Sequence, residues 1–447
     1  MRLEDIRLNW PVVLFSLAFI AATWLIFALA PAASSRADLR GLLDRGRLGS
    51  PSVAVRQGLM VVQVALAGVL AIGAGLLTKS FLRLSQVDPG FDPAGVVMAT
   101  LQLPESRYPM PKAWPVLEWP QAAGFQQQLL DDLKALPGVR HAALAYYSAF
   151  DSGWTTRVTV EGRPAPPPGE QPEAHFRPIS EDYFEVLRIP LRRGRRFLPL
   201  DDAYHPKVAI IDEAFARVHF PGEDPVGRRI SVYGVPREIV GVAAGVRFRA
   251  LSTEAQPTMY LPSGQNPLSQ YTILLRTTTD PLSMAGVMRQ RVRVIDKDLA
   301  LYDLASLEEV LSGSLAGRRF TMSLLSGFAF AALLLAAIGI YGVVSYLAGR
   351  RTHEIGLRQA LGAGSGAILG LIVGGGLRLA AAGAVLALLG GFVFSRWIGA
   401  LLFDTASTDP STFALTAVLL LAIAAAASLI PAWRAVRVAP SLALRQD

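Results

Sequence analysis

The 447-residue chain contains no cysteine and only five histidines, and these two shortages remove whole classes of chemistry. Without cysteine there is no disulfide framework and no thiolate metal centre, although a chain this long needs no such staples and the absence names no compartment. The histidines are scattered, and no HExxH, GxSxG or EF-hand pattern accompanies them, so each reads as a surface or capping residue. Charge is scarce as well, at 17% of residues, against about 25% in an ordinary soluble domain. The acidic pairs Asp131/Asp132, Asp201/Asp202 and Glu308/Glu309 are adjacent in sequence. On a helix that spacing points them about 100° apart, so they read as solvated faces, not as paired catalytic carboxylates. A phosphate-binding loop is also missing. The nearest stretch, GAGLLTKS at 73–80, has Thr78 where a glycine should precede the lysine, and it closes an apolar run instead of joining strand to helix. Its glycines suit helix packing, and Lys79 suits a membrane interface.

What is abundant is apolar surface, at 52% of residues. Runs of roughly 20 apolar residues, the length that crosses a bilayer, begin near Pro11, Gly58, Phe320, Ile368 and Thr412. The expected fold class is a polytopic α-helical membrane protein of about five spans. Between the second and third spans, Lys79–Arg319 is too rich in charge and proline to be embedded and is expected to form a folded aqueous domain. The first run also resembles a signal peptide, with ALAPAASS offering small residues for cleavage. Its length, and Glu4 and Asp5 where a positive segment belongs, argue against that. The net charge of +8 does not point to nucleic acid, because the arginines cluster beside spans. Arg36, Arg40, Arg45, Arg47 and Arg56, then Arg350, Arg351 and Arg358, then Arg434, Arg437 and Arg445 mark the cytoplasmic side. Lys79, Arg83, Arg318 and Arg319 flank the large domain on the opposite side, but long domains translocate largely regardless of charge.

In the outer domain, apolar alternation with period two exchanges with helical spacing. GVVMATLQLP at 95–104, QAAGFQQQLLDDLKAL at 121–136 and HAALAYYSAF at 141–150 read as strand, helix and strand. YTILLRTT at 271–278, MAGVMRQRVRVID at 284–296 and LALYDL at 299–304 repeat that order, so two βαβ halves can close one split sheet. The intervening segment, about 155–265, is expected to be an inserted lobe of mixed α and β structure. It opens with TRVTVEGR and the loop PAPPPGEQP, and VAIIDEAFARVHF and EIVGVAAGVRF supply further elements.

The charged stretch RRTHEIGLRQALGA at 350–363 interrupts two membrane-ready runs. If RRTHEIGLRQALGAGSGAIL continues as one helix, Leu357, Ala360, Leu361, Gly364 and Ile368 form an apolar stripe beside a charged row of Arg351, Glu354 and Arg358. Such a helix can serve as an interfacial anchor or as a docking element for a partner. Gly356 and Gly362 each cost about 1 kcal/mol relative to alanine and suit close approach of a partner backbone. Arg378 lies inside an apolar run, about 17 residues or roughly 25 Å of helix before Phe394. It is expected to snorkel to the cytoplasmic interface, with a functional ion pair as the other reading. The glycines of GVVSYLAG, LIVGGG and LLGG suit close helix packing, with hinges as the alternative.

LAPAASSRADLRGLL at 29–43 and LIPAWRAVRVAPSLAL at 429–444 share a span ending in Pro-Ala, an arginine and a leucine-bearing tail. This suggests duplication, with the first span being the last span of a preceding copy, and chance similarity among small and apolar residues is the other reading. VVQVALAGVLAIGAGLLTKSFLRLSQVDPGFDP, SEDYFEVLRIPLRRGRRF, VAIIDEAFARVHFPGEDPVGRRI, FAFAALLLAAIGIYGVVSYLAGRRTHEIGLRQALGA and LIPAWRAVRVAPSLAL together resemble a MacB/FtsX-type ABC transporter permease. They are most similar to the C-terminal half of the acidobacterial duplicated orphan permeases, the ADOP family.

The resemblance implies a four-helix permease core, with transmembrane helices at 58–80, 318–349, 368–395 and 412–431, from which this chain departs by an extra span at 1–33, followed by a basic cytoplasmic loop at 34–57. A two-lobed MacB-like periplasmic core at 81–317 is inserted between spans two and three. A short periplasmic loop follows at 396–411, and a cytoplasmic tail at 432–447. A coupling segment at 350–367 would engage a separate cytoplasmic ABC ATPase through Glu354, Ile355, Gly356, Leu357, Arg358, Ala360, Leu361, Gly362 and Ala363. The chain itself would be no enzyme and hold no cofactor or metal, with ATP used by the partner. Further expected partners are a second permease half or a homodimer mate, a periplasmic adaptor and the lipid bilayer. The implied output is mechanotransmission serving efflux or the handling of lipoproteins or amphiphiles in the bacterial inner membrane. The alternative is a membrane scaffold that regulates a periplasmic partner such as a cell-wall hydrolase.

Overall fold

The structure is a computed structural model. It describes residues 51–437 apart from 114, 149, 152, 165, 166, 168–171, 249 and 362, together with Trp10, Leu14, Leu17 and Ala18. The expected first span, the basic loop before Pro51 and the tail after Arg437 therefore lie essentially outside the described residues. The described chain divides into two compact units: Phe81–Phe320, and a helical unit formed by the segments before and after it.

Helix α1 (Pro51–Ser85) leads into β1 (Val96–Gln102), α2 (Pro120–Lys134), β2 (Val139–Ala145), β3 (Thr155–Val160) and β4 (Glu173–Ile179). Then come α3 (Tyr183–Leu187), β5 (Leu191–Gly194), β6 (Val208–Asp212), α4 (Glu213–His219), β7 (Arg229–Val232), β8 (Val235–Ala243) and β9 (Thr258–Pro262). β10 (Gln270–Thr277), α5 (Ala285–Ile295), β11 (Tyr302–Ser306) and α6 (Leu307–Ser314) close the domain.

The first lobe has the strand order β11-β1-β10-β2, every neighbour antiparallel. β10 therefore separates the two strands of the β1-α2-β2 unit, and β1 separates those of β10-α5-β11, the split βαβ arrangement the sequence suggests. Helix α2 forms because Ala122, Phe125, Leu129, Leu130 and Leu133 recur on one face and Pro120 sits in its first turn. That face joins Met288 and Val292 of α5 over Val97, Ala99 and Leu101, while the other sheet face packs Val96, Met98 and Leu274 against Tyr183, Phe184 and Tyr260.

The 155–265 segment is more β-rich than the mixed pattern expected. β4-β3-β7-β8-β6-β9 form a ring, because β9 pairs in parallel back onto β4, and β5 attaches to β8. Closure leaves no free edge within the ring. Val158, Phe176, Ile211, Phe215, Ile230, Ile239 and Met259 make its core. One buried carboxylate organises it: Asp212 Oδ1 accepts from Phe215 N at 2.7 Å, capping α4, and from Thr258 N at 3.0 Å, holding β9. Burial pushes the Asp212 carboxyl up to about 7, against the opposing pull of those two amide donors.

Three polar readings need correction here. Asp201 is not a solvated face: it is buried and takes a two-pronged contact from Arg195, at 2.7 and 3.0 Å. His175 and His219 are also buried rather than superficial. His175 Nε2 meets Gln256 at 2.9 Å, while the His219 ring stacks on Phe215. Sequence spacing does not report which polar side chains find partners inside a ring of strands.

The helical unit continues with α7 (Ala316–Arg350), α8 (Thr352–Ala360), α9 (Ser365–Ile398) and α10 (Pro410–Val436). Among the described residues, α1, α7, α9 and α10 are long and apolar enough to cross a membrane. The 35-residue α1 and α7 are each about 50 Å long, well beyond the roughly 30 Å hydrocarbon core. Small residues bring these helices together: Ala67, Ala336, Ala380, Ala387 and Ala424 are buried in the bundle. A Cβ on Gly383 would sit 2.7 Å from Val64, and one on Gly391 would sit 2.5 Å from Ile72. Gly376 is pressed against Ser428, whereas Gly342, Gly349, Gly374 and Gly375 face open space. Close packing thus uses only some of the glycines in these clusters.

The stretch at 73–80 pins the outer end of the bundle. Gly73 and Gly75 admit Phe394 and Thr412, Lys79 pairs with Asp409 at 2.7 Å, and Ser80 Oγ accepts from Phe403 N at 2.7 Å.

Candidate functional site

The candidate site is the junction between α7 and α9. Helix α7 stops at Arg350, and Arg351 leaves the helical conformation with φ −100° and ψ 14°. The Thr352 hydroxyl donates to Gly349 O at 2.6 Å, satisfying a terminal carbonyl of α7. Ile355 N bonds back to Arg351 O at 2.8 Å, so α8 starts directly from the turn.

Glu354 pairs with Arg358 at 2.7 Å, an i,i+4 pair, and approaches Arg351 at 4.0 Å. The charged row expected from the sequence therefore exists. Ile355 and Gly356 turn inward, Ile355 being 3% exposed. Leu357 and Leu361 turn outward, 48% and 80% exposed, with Ala360 exposed between them. Gln359 Nε2 donates to Val436 O at 3.1 Å, tying α8 to the end of α10.

The single long helix drawn through this region is not formed. α8 ends at Ala360, with Leu361 N on Leu357 O at 3.0 Å and Ala363 N on Arg358 O at 2.9 Å, and α9 begins at Ser365 after an extended Gly364. Glycine at 364 and 366 disfavours continuation, and Ile368 is claimed by the bundle core, where it is buried. The proposed stripe is thereby divided: Leu357, Ala360 and Leu361 remain together, while Gly364 and Ile368 belong to another element. Gly362 lies outside the described residues, and Ala363 is half-buried in the link. Arg378 is exposed on α9, apart from this site.

One feature of this end was missed. Tyr341 and Ser345 of α7, Thr352 and Ile355 of α8, and Pro431 and Arg434 of α10 line a cleft of about 400 Å³, with Arg434 donating to the Tyr341 hydroxyl at 3.0 Å. The available signal was Pro431 inside a span, three residues before an arginine. Among the described residues, no cluster of three His, Asp or Glu side chains could hold a metal.

Apolar helices with an α/β domain inserted after the first described one define a polytopic membrane protein. Residues 58–294 match the MacB-like periplasmic core domain, and residues 326–440 match the FtsX-like permease C-terminal domain. With the first match alone spanning more than half of the chain, the protein belongs to the MacB/FtsX family of ABC transporter permeases.

The uncharacterized ABC transporter permease YknZ of Bacillus subtilis (strain 168) is 25% identical over 308 residues, 67% of this chain and 71% of that protein. The macrolide export ATP-binding/permease protein MacB of Nitrobacter winogradskyi is 29% identical over 281 residues, 59% of this chain and 42% of that protein. This chain thus spans less than half of that MacB. The crystal structure of the periplasmic region of MacB from Actinobacillus actinomycetemcomitans covers 52% of this chain and 97% of its own at 12% identity, with a TM-score of 0.34.

The protein is accordingly a multi-pass inner-membrane protein with its MacB-like domain in the periplasm.

Proposed function

We propose that this chain is the permease subunit of an ABC system whose ATPase is a separate cytoplasmic protein docking on α8. One observation carries the reading: α8 is anchored on its inner side by Ile355 and by the Gln359 bond to Val436, yet presents Leu357 and Leu361 outward beside a braced Glu354–Arg358 pair. Exposed leucines next to an ordered ion pair provide anchors and a register for a partner groove. α1 and α7 carry the chain between the two compact units without a helix break, at residues 80–81 and 320–321. Motion imposed on α8 would travel along stiff helices to the periplasmic domain, which is mechanotransmission without passage of substrate between spans. Efflux and the handling of lipoproteins or amphiphiles are the outputs this suits, with a homodimer mate or second permease half completing the assembly and a periplasmic adaptor beyond it.

The test is co-purification with the ATPase in mild detergent. Leu357→Asp and Glu354→Lys should each leave insertion and periplasmic folding intact while lowering ATPase recovery about tenfold, the loss of one interface anchor. A helix serving only as a lipid anchor behaves differently. Leu357→Asp would then loosen membrane seating, Glu354→Lys would be harmless beside anionic lipid, and ATPase recovery would be unchanged in both.

A further inference from the structure

The cleft between α7, α8 and α10 has a chemical character that docking of an ATPase does not explain. Its floor and walls are apolar or small, from Ala348, Gly349, Ile355, Pro431 and Ala435. Its polar groups converge at Arg434, Tyr341, Ser345 and Thr352. The Tyr341 hydroxyl accepts from Arg434 Nη1 at 3.0 Å, which leaves its own proton, and the other guanidinium N–H groups, available to a further acceptor. Thr352 already donates to Gly349 O, so the donors on offer come from Arg434, Tyr341 and Ser345.

The surroundings select the sign of the occupant. The described segments at this end of the helices, 51–58, 345–368 and 428–437, carry Arg56, Arg350, Arg351, Arg358, Arg434 and Arg437 against Glu354 alone. Glu354 is itself held by Arg358 at 2.7 Å. Arg56 and Arg350 lie over the Tyr346 ring and Arg437 over Trp433, the aromatic and cationic dress of a headgroup layer. The volume of about 400 Å³ falls within the roughly 300–1,000 Å³ of small-molecule sites. It exceeds the need of an isolated phosphate, and an apolar floor would be wasted on one.

We propose that this cleft is a binding site for an anionic phosphoglycerolipid of the cytoplasmic leaflet, its phosphate on Arg434 and the Tyr341 hydroxyl and the start of an acyl chain along Ala348, Ile355 and Pro431. Basic pockets between membrane helices on the cytoplasmic side hold acidic lipid headgroups on the same physical grounds. Because Thr352 and Ile355 belong to α8, a lipid seated here braces the inner side of the helix whose outer side carries Leu357 and Leu361. The site rests on the placement of this end at the cytoplasmic interface and not on ATPase docking.

The experiment is native mass spectrometry of the full chain, stripped of lipid and then exposed to phosphatidylglycerol or phosphatidylethanolamine. Wild type should retain phosphatidylglycerol in clear preference. Arg434→Gln should weaken that retention about tenfold, the usual scale for losing a hydrogen bond to a charged group. Tyr341→Phe, which removes only the hydroxyl, should weaken it by a smaller factor. Arg437→Gln, outside the cleft, should keep the preference. Leu357→Asp should keep it too, even where ATPase recovery is lost, so failure of docking and failure of lipid binding are separable. Equal retention of the two lipids, an undiminished preference in Arg434→Gln, or displacement of the lipid by millimolar inorganic phosphate would each overturn the proposal.

Discussion

The periplasmic domain and the helical bundle solve packing with opposite materials. The domain fills its cores with large side chains, Trp119, Tyr183, Phe184, Phe215 and Tyr260 among them, and buries cations such as Arg177 and Arg237. The bundle buries alanine, glycine and serine among a few larger residues such as Met60, Ile340 and Leu420 at its helix contacts, and leaves others, such as Phe328, Ile338, Leu389 and Val418, on the outside. In water, burying bulk is the driving force. In a bilayer the lipid is as apolar as leucine, and close backbone approach takes over. A glycine in the bundle is therefore a contact surface, and an arginine in the periplasmic core is a crosslink.

The largest expected effect tests the crosslink. Arg177 is 2% exposed, donates to Ser148 O at 2.7 Å and to Asp151 O at 2.8 Å, and lies 3.7 Å above the Phe248 ring. Arg177→Met removes both of these bonds and the contact with the Phe248 ring, leaving Ser148 O with Asp151 N alone at 3.2 Å, and should cost about 3 kcal/mol. Urea titration followed by limited proteolysis should show the periplasmic domain opening earlier while the bundle is unaffected. A simultaneous loss of both would break the comparison.

A somewhat smaller effect is expected from Gly383→Val, which forces a side chain onto Val64 and should cost about 2 kcal/mol through overpacking. Gly374→Val enters open space on the same helix and should stay within about 0.5 kcal/mol. Thermal unfolding in detergent separates the two, and equal shifts would deny glycine its contact role.

A pH-dependent effect sharpens the account of the periplasmic core. Folded Asp212 holds its proton up to about 7, whereas the unfolded carboxyl releases it near 3.8. Between those values the folded state binds more protons, so this contribution to stability is fully present below the lower value and is lost as pH rises toward the upper one. Melting temperatures of the periplasmic domain measured across that window should decline in wild type and decline less in Asp212→Asn, which keeps an N-cap but cannot ionise. Parallel slopes would place the titration elsewhere.

Legibility in the sequence followed the physics of each region. Periodicity located β1, α2, β2, β10 and α5: α2 and α5 bury one face and write that face into their spacing, whereas β1 and β10 are buried on both faces and are apolar along most of their length. The ring was illegible, since the parallel pairing of His175–Ile179 with Thr258–Pro262 joins segments some eighty residues apart and leaves no local mark. At the coupling segment the same limit appears in miniature. Glu354 and Arg358 could be paired from an i,i+4 spacing, but the break at Ala360 depends on where Ile368 finds its core, which is a tertiary fact. The Arg434–Tyr341 contact joins α10 to α7 across 93 positions and was likewise out of reach.

The ring of six strands hangs from the first lobe by very little sheet. β1 and β10 pair from Val96 opposite Arg276 to Gln102 opposite Gln270, but β2 and β4 share only Ala145 opposite Ile179. Two backbone bonds flank that point, Tyr146 N to Pro178 O at 3.1 Å and Ser180 N to Leu144 O at 2.8 Å, with the Ser180 hydroxyl accepting from Leu144 N at 2.9 Å. Under tension this is a peel line. A pull on the first lobe would meet the long β1–β10 seam as a zipper loaded along its length, and the short β2–β4 seam as a tab lifted from one end. Behind that seam Met98 and Leu274 of the first lobe share a core with Tyr183 and Tyr260, so the ring, closed on itself, would move as a unit only once that core had opened.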